Sequence, residues 1–180
     1  MKRRDFIKGC SAITLAGFSS IILADDKKFW LRDRSISLYR PISGERKNIK
    51  FFQNGKYLVE GYRALCWMFR DVKDNNAMAK INISLVNLLF AQQQYLNAHG
   101  RSNPVIVLHS GFRTRRHNAT LEGAAKNSKH LIGNAADFHI EQSSLNELLA
   151  LARKFKVGGI GSYSTFVHND IGRYREWNGR

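Results

Sequence analysis

The chain has 180 residues, with a formal net charge of +15 at pH 7, a sequence pI near 10.2 and a mean hydropathy of −0.36. Its 43% hydrophobic content suffices for one globular domain, and the presence of only two prolines argues against long disordered segments. The positive charge predicts an anionic partner, such as a nucleic acid, a membrane surface or an acidic polymer. The basic residues are scattered and match no nucleic-acid-binding motif, so the charge alone does not choose among these partners.

The N-terminal segment is typical of an exported protein. Two adjacent arginines, Arg3 and Arg4, lie in a basic start, and residues 10–23 carry no charge. This arrangement resembles a twin-arginine signal peptide, which we assign to residues 1–24, followed by a single domain over 25–180. The resemblance implies the twin-arginine export machinery as a partner and the periplasm as the location. An uncleaved membrane tether is the alternative, although the uncharged stretch is shorter than the roughly 20 residues that a spanning helix needs.

Removal of the signal peptide would leave Cys66 as the one cysteine of the mature chain. No intrachain disulfide is then possible, even in an oxidising compartment. Apolar residues flank Cys66 on both sides. We therefore predict a buried, small apolar side chain at this position and not a nucleophile.

The first predicted elements of the domain form a small hairpin. Residues 34–40 alternate polar and apolar side chains, as a half-buried strand does, and residues 48–52 form a second predicted strand. A turn over residues 41–45 separates the two strands. Asn54 and Gly55 make a second predicted turn.

Two helices and a buried strand are predicted next. Apolar side chains recur at helical spacing over residues 58–72 and again over 85–98. Ser84 is the expected N-cap of the second helix, which ends at His99 and Gly100. A buried strand follows at residues 105–108.

The second half of the chain alternates short helices and strands. Residues 121–125 are predicted as a short helix, 145–155 as a helix capped by the run at 142–144, and 165–171 as the final strand. Residues 158–161 are predicted as a tight turn. The pattern indicates an α+β fold, in which helices pack on a central and mainly antiparallel sheet.

The run from Ser128 to Asp137 has the pattern S-x-H-x-x-G-x-A-x-D and overlaps a predicted strand at 135–140. Hydrolytic zinc sites use three His or carboxylate ligands and leave one position for water, so His130 and Asp137 could supply two of them. His168, on the final strand, is the candidate for the third. Spacing alone is weak evidence, because loosely spaced His–Asp pairs are common without a metal.

Three motifs occur in order along the chain: S-G-F-R-T at 110–114, S-x-H-x-x-G-x-A-x-D at 128–137, and G-G-I-G-x-Y at 158–163 followed by F-V-H at 166–168. Together they resemble the zinc D,D-peptidase family that includes VanX- and VanY-type enzymes. The resemblance is greatest to its branch of exported murein endopeptidases of the MepK (YcbK-like) type and covers essentially the whole chain. It implies the fold shared with the hedgehog signalling domain and lysostaphin-type enzymes.

Carried onto this sequence, the resemblance implies one zinc ion per chain with His130, Asp137 and His168 as its ligands. Arg113 occupies the position of the family arginine. Its guanidinium would take part in catalysis by binding a substrate carboxylate or the carbonyl oxygen, since a planar fork of donors suits both. A structural salt bridge is the alternative for this side chain.

Two further residues are candidates for substrate binding under the same resemblance. Ser128 would hydrogen-bond the substrate or orient its own loop. Tyr163 would donate a hydrogen bond to the oxyanion, or its ring would simply pack.

The sequence departs from the VanX/VanY pattern at the catalytic acid. That position, three residues before the last histidine, is Thr165, which cannot act as a general base. Asp170 is the strongest replacement, because it lies on the same strand face as His168. His139, two residues after Asp137, is the second candidate. Asp170 could instead orient His168.

The resemblance implies a periplasmic zinc metallopeptidase that hydrolyses peptide cross-links of peptidoglycan, and its partners would not include nucleic acid or a stable membrane span after processing. Two alternatives stay open. One is a carboxypeptidase or dipeptidase that trims free stem peptides. The other is a non-catalytic, metal-containing module that binds the cell wall, which the absence of an acid at position 165 would permit.

Overall fold

The computed structural model describes residues 26–179, so the predicted signal peptide lies outside the described residues. The helices are α1 (Asp26–Leu31), α2 (Val59–Met68), α3 (Ile83–Ala98), α4 (Arg115–Ala119) and α5 (Leu145–Phe155). The strands are β1 (Arg34–Arg40), β2 (Glu45–Gln53), β3 (Lys56–Tyr57), β4 (Ile106–Ser110), β5 (Ala135–Ile140), β6 (Gly159–Ser162), β7 (Val167–Asp170) and β8 (Arg175–Asn178). Single turns of 3-10 helix lie at Pro41–Ser43 and Lys129–Ile132. Within the described range, no helix has the length and apolar character needed to cross a membrane.

The eight strands form one sheet in the order β3-β2-β1-β4-β5-β7-β6-β8. Neighbouring strands run antiparallel except for β1–β4 and β6–β8, which pair in parallel. A parallel pair needs a crossover, and helices α2 and α3 lie in the long connection between β1 and β4. The prediction of an α+β fold is confirmed, with these two parallel pairs as departures from an antiparallel sheet.

Strands β5 and β7 separate an apolar face of the sheet from a polar one. Phe138 lies opposite Val167 in the register, and both side chains are buried in the core with residues of α3 and α5. Asp137 lies opposite His168. Because side chains alternate between the faces of a strand, these two point away from the core, towards the same side of the sheet.

Helix α3 is buried on nearly all sides. Its buried residues include two glutamines, Gln92 and Gln93. Gln92 Nε2 donates to Asn169 Oδ1 at 2.9 Å, and Gln93 Nε2 donates to the carbonyls of Ser37 and Pro104 at 2.9 and 2.7 Å. Buried amides are costly unless they are hydrogen-bonded, and these pairs satisfy them. The bonds therefore fix the helix against strands β1 and β7.

Two local predictions are confirmed. Strands β1 and β2 form the predicted antiparallel hairpin, and the turn after β2 has Asn54 at φ 51° and Gly55 at φ 75°, as a tight Asn-Gly turn requires. Cys66 is buried in the core.

Two predicted details are wrong. Helix α3 is capped by Asn82, whose side chain accepts a hydrogen bond from the backbone N–H of Ser84, so the cap lies two residues earlier than predicted. The short helix is α4, capped by Thr114, and residues 121–125 contain a bend and a turn but no helix. In both regions several Ser, Thr and Asn residues could act as caps, and long-range packing decides which one does.

The sequence did not predict strands β6 and β8. Residues 158–161, predicted as a tight turn, enter β6, and the basic tail forms β8, with Gly159 opposite Arg175 in the parallel register. Two of the four β6 residues are glycines, and three of the four β8 residues are exposed. Neither segment therefore shows the apolar alternation that predicts a strand.

Glu45, the first residue of β2, connects the hairpin to the end of α2. Its carboxylate accepts hydrogen bonds from Ser43 Oγ and Trp67 Nε1, each at 2.6 Å, and pairs with Arg70 Nη2 at 2.7 Å. Burial opposes ionisation of the carboxyl group, but the bonds from these three side chains outweigh it and lower the pKa of Glu45 to about 2.

Replacing Glu45 with Gln should reduce the acid sensitivity of the fold. Because the pKa is lower in the folded state than its ordinary 4.5, the ionised carboxylate stabilises the protein above that pH, and this contribution is lost as the pH falls towards 2. The free energy of urea unfolding, compared at neutral and strongly acidic pH, should therefore decrease less for Glu45→Gln than for the wild type. The control is Glu60→Gln, whose exposed carboxylate pairs with Arg63 on the same helix. An equal decrease in Glu45→Gln and the wild type would contradict the prediction.

Candidate metal centre

Three buried side chains converge on the polar face of the sheet: His130, from the 3-10 turn Lys129–Ile132, Asp137, from β5, and His168, from β7. His130 Nε2 and His168 Nδ1 lie 3.2 Å apart, and they lie 3.2 and 2.8 Å from Asp137 Oδ1. The three ligand atoms are all within 4.8 Å of one another. The structure thus brings together the three residues that the sequence proposed as ligands, and they could hold a metal ion.

The far nitrogen of each imidazole has a partner that fixes which nitrogen faces the centre. His130 Nδ1 lies 2.6 Å from the carbonyl oxygen of Gly111, which can only accept, so Nδ1 donates and Nε2 is left with its lone pair. His168 Nε2 lies 3.3 Å from Asp170 Oδ2, and in the neutral ring that donates there the Nδ1 lone pair is directed at the centre. Two imidazole lone pairs and one carboxylate are a donor set that suits zinc with an open position, and such outer partners are typical of ligating histidines.

The charges of the three residues depend on one another. Burial alone would raise the pKa of Asp137, but the adjacent imidazoles of His130 and His168 outweigh it and hold that pKa far below its usual range. Burial lowers the pKa of His130, against the attraction of Asp137. Burial also disfavours the charged form of His168, yet its hydrogen bonds to Asp137 and Asp170 raise its pKa. A metal ion would therefore compete with a proton for His168.

Arg113 lies against the three candidate ligands. Its Nη2 donates to Asp137 Oδ2 and lies 3.3 Å from His130 Nε2, and its Nε donates to Ser110 Oγ at 2.7 Å. The side chain is mostly buried among these partners, with 14% of its surface exposed. This placement is compatible with both sequence interpretations, the binding of a substrate oxygen and a structural ion pair.

The turn that carries Arg113 is docked on the loop after α2. The N–H of Phe112 donates to the carbonyl of Phe69 at 2.7 Å, and the N–H of Thr114 donates to Asp71 Oδ2 at 2.8 Å. A Cβ atom on Gly111 would lie 2.6 Å from the same Phe69 carbonyl, so only glycine fits there. The sequence predicts only a polar loop around Asp71. It does not predict the contact with Thr114, because contacts between distant loops leave no periodic pattern.

Ser128 and Gly133 flank the 3-10 turn that presents His130. The Ser128 hydroxyl accepts a hydrogen bond from the His130 N–H at 3.3 Å, as an N-cap does. Gly133 closes the turn at φ 66°, and a Cβ there would lie 2.5 Å from the Lys80 carbonyl. In this structure Ser128 contacts the loop backbone, which corresponds to the loop-orienting alternative for this residue.

Asp170 lies on the far side of the His168 ring from the other ligands. Its carboxylate is fully buried and accepts hydrogen bonds from the N–H groups of Gly159 and Gly172 at 2.9 and 2.7 Å and from Arg175 Nη2 at 2.6 Å. Burial raises its pKa, but the bonds from His168, Arg175 and the backbone outweigh it and hold the pKa well below its usual range. This geometry corresponds to the orienting alternative and not to that of a proton acceptor facing the open position.

His139 points to the same face of β5 as Asp137 and pairs with a second histidine. Its Nδ1 lies 2.8 Å from Nε2 of His109, at the end of β4, and the His109 ring lies 5.8 Å from that of Phe166. Burial lowers the pKa of both histidines, and the neighbouring His139 lowers that of His109 further. His109 was not a candidate from the sequence, because the irregular register between Leu108 and Ser110 obscures which face it lies on.

Tyr163 contacts Trp177 of β8, and the Trp177 ring lies beside that of His168. The indole N–H donates to the Tyr163 hydroxyl at 3.3 Å, and the indole ring lies 5.1 Å from the ring of His168. Tyr163 also stacks on Phe166 with 4.5 Å between ring centroids. The rings of Tyr163, Phe166 and Trp177 thus form an aromatic border on one side of the centre.

Residues 30–177 match the profile of a protein family described as peptidoglycan L,D-endopeptidase MepK. Peptidoglycan L,D-endopeptidase MepK of Escherichia coli is 35% identical over 152 residues, which cover 81% of each chain. A protein named probable peptidoglycan L,D-endopeptidase MepK, from Haemophilus influenzae, is 32% identical over 143 residues, covering 76% of this chain and 75% of that protein.

The close packing of Gly111 can be tested with Gly111→Ala. The added methyl group must displace the Phe69 carbonyl, and with it the Gly111 carbonyl that orients His130, so both stability and metal affinity should decrease. Overpacking of this kind costs about 1–3 kcal/mol. Urea unfolding and zinc titration against a chromogenic chelator would measure the two effects.

Gly123→Ala is the matched control. Gly123 has φ 71°, and a Cβ atom added there would meet nothing within 4 Å, so alanine should cost stability through backbone strain and leave zinc affinity unchanged. Equal zinc affinities for Gly111→Ala and Gly123→Ala would contradict the conclusion that the Gly111 carbonyl orients His130 for metal binding.

Proposed function

Because the chain belongs to the peptidase family described as peptidoglycan L,D-endopeptidase MepK, we propose that it is a zinc-dependent periplasmic enzyme that hydrolyses peptide cross-links of peptidoglycan. The names of its relatives favour the L,D cross-link as the bond that is cut. The predicted signal peptide supports export by the twin-arginine pathway. The family membership, with one large sheet and helices packed on it, supports the fold of the hedgehog domain and the D-Ala-D-Ala peptidases.

The observation that carries this proposal is the convergence of His130, Asp137 and His168. Asp137 and His168 lie 31 residues apart in the sequence, on β5 and β7, and His130 lies in the 3-10 turn seven residues before Asp137. Their donor atoms face one point, and the far nitrogen of each imidazole is engaged by Gly111 or Asp170. A buried cluster arranged in this way, in a chain of this family, fits a metal centre better than a structural ion pair.

The chemistry that zinc supplies in such centres is polarisation of the scissile carbonyl and activation of the attacking water. The chain's own residues hold the substrate against that position. Arg113 presents its guanidinium beside Asp137 and His130, where it can bind the carbonyl oxygen or a neighbouring carboxylate of the peptide as negative charge develops. The aromatic border lies along one side of the site.

We assign proton transfer to His139 and orientation of His168 to Asp170. His139 lies two residues from Asp137 on the same face, roughly 7 Å along the strand, and burial favours its neutral form, which can accept a proton. His109 would hold its ring through the 2.8 Å hydrogen bond. Asp170, with its oxygens occupied by Gly159, Gly172 and Arg175, has little capacity left to take a proton.

The proposed activity is tested with purified cross-linked muropeptide dimers. The zinc-loaded protein should convert dimers to monomers. Chelation should abolish the conversion because it removes the metal ion, and His130→Ala should abolish it because the substitution removes a ligand of the centre. His99→Ala is the control, since His99 is an exposed histidine at the end of α3. Trimming of monomers without cleavage of dimers would favour the carboxypeptidase alternative, and wall binding without any product would favour the non-catalytic module.

His139→Gln separates catalysis from metal binding. Loss of a positioned general base typically costs about 10²–10⁴-fold in rate, so kcat on dimers should fall by that factor while zinc affinity is unchanged. Both quantities are measured on the same preparation, by product analysis and by chelator competition. A kcat equal to that of the wild type would remove His139 from the mechanism.

A further inference from the structure

Arg175, on strand β8, forms an ion pair with Asp170, which contacts the outer nitrogen of His168. Arg175 Nη2 donates to Asp170 Oδ2 at 2.6 Å, and Nη1 lies 3.2 Å from Asp170 Oδ1, so the guanidinium contacts both oxygens. Asp170 Oδ2 in turn accepts from His168 Nε2 at 3.3 Å. A chain of charged hydrogen bonds therefore runs from Arg175, on the edge strand, through Asp170 to His168.

The Asp170 carboxylate is enclosed by its hydrogen-bond partners. Its residue has 0% exposure, and a buried polar group of this kind is stable only when it is paired and hydrogen-bonded. The N–H groups of Gly159 and Gly172 supply hydrogen bonds but no full charge. The planar guanidinium of Arg175 contacts both oxygens and can hold the carboxylate in the orientation that meets His168 Nε2.

The strand register delivers Arg175 to this position. Gly159 lies opposite Arg175 in the parallel β6–β8 pair. A Cβ atom on Gly159 would lie 2.5 Å from Arg175 Nη1 and 2.6 Å from Asp170 Oδ2, so the guanidinium reaches the carboxylate across a glycine. The absence of a side chain at that position is therefore what allows the ion pair to form.

The same strand also supports the ring of His168. Trp177, two residues after Arg175, lies 5.1 Å from the His168 ring, and the Arg175 guanidinium carbon lies 5.0 Å from the Trp177 ring. Gly161 makes room for this indole, because a Cβ there would lie 2.7 Å from it. The imidazole is thus held at Nε2 by Asp170 and beside its ring by Trp177, which leaves Nδ1 directed at Asp137.

We propose that Arg175 is a positioning residue, which fixes His168 as a metal ligand by holding the Asp170 carboxylate against its Nε2. The inference rests on the proposed function in one respect, that His168 is a ligand of the centre. It adds the edge strand β8 to the functional part of the molecule, although no residue of β8 is among the candidate ligands.

The test is the zinc affinity of Arg175→Gln, measured on the full domain by competition with a chromogenic chelator. Loss of the direct partner of a ligating histidine typically lowers metal affinity by about 10–100-fold. Because Arg175 acts through that partner, Asp170, we expect a decrease of about 10-fold, smaller than that of Asp170→Asn. Arg175→Lys, which keeps the charge but not the fork, should recover part of it. Arg173→Gln, at an exposed arginine two residues away, is the matched control and should bind zinc as the wild type does.

A second comparison distinguishes positioning from general weakening of the fold. If Arg175 acts through Asp170, the double variant Arg175→Gln/Asp170→Asn should bind zinc no more weakly than Asp170→Asn alone. Fully additive losses, or an Arg175→Gln affinity equal to that of the wild type, would overturn the proposal. Cobalt loading adds a spectroscopic readout, because a misdirected His168 changes the visible absorption of the bound ion and a merely less stable fold does not.

Failure of the proposed function would look different. If His130→Ala binds zinc as tightly as the wild type, the centre itself is wrongly assigned. If His130→Ala loses zinc and Arg175→Gln does not, the centre stands and only the contribution of Arg175 is rejected.

Discussion

The carboxylate of Asp137 is buried beside the imidazoles of His130 and His168 and the guanidinium of Arg113. A charge removed from water must be compensated by neighbours at short range, and all of these neighbours come from other parts of the chain. The loop of His130, the strand of His168 and the turn of Arg113 are therefore held together by one electrostatic requirement. A divalent cation bound among the same atoms would satisfy that requirement more completely.

The sheet makes this arrangement possible because one of its faces packs against the core and the other carries the polar cluster. At the β5–β7 pair, Phe138 and Val167 point into the core, while Asp137 and His168 point out of it. On the core side, the buried pair Gln92–Asn169 joins α3 to the residue next to His168. The helices thus stabilise the strands from one side and leave the other side free for chemistry.

The imidazoles of His130 and His168 are oriented by groups that are not among the candidate ligands. Gly111 determines which nitrogen of His130 faces the other ligands, and Asp170 does the same for His168. Each of these groups is supported in turn, Gly111 by its close contact with Phe69 and Asp170 by Arg175. The positions of the three candidate ligand atoms therefore depend on segments that are distant from them in sequence.

The sequence by itself determined the N-terminal hairpin, helix α5 with a cap within residues 142–144, the burial of Cys66, the ligand candidates and, through three ordered motifs, the family. Periodicity and motifs report what one segment buries or binds. Only the tertiary structure decided that Asp170 lies behind His168, that His109 pairs with His139, and that the tail forms β8 and brings Arg175 to Asp170. These are pairings between polar or exposed residues of distant segments, and such contacts leave no periodic trace in either segment, because neither buries an apolar face.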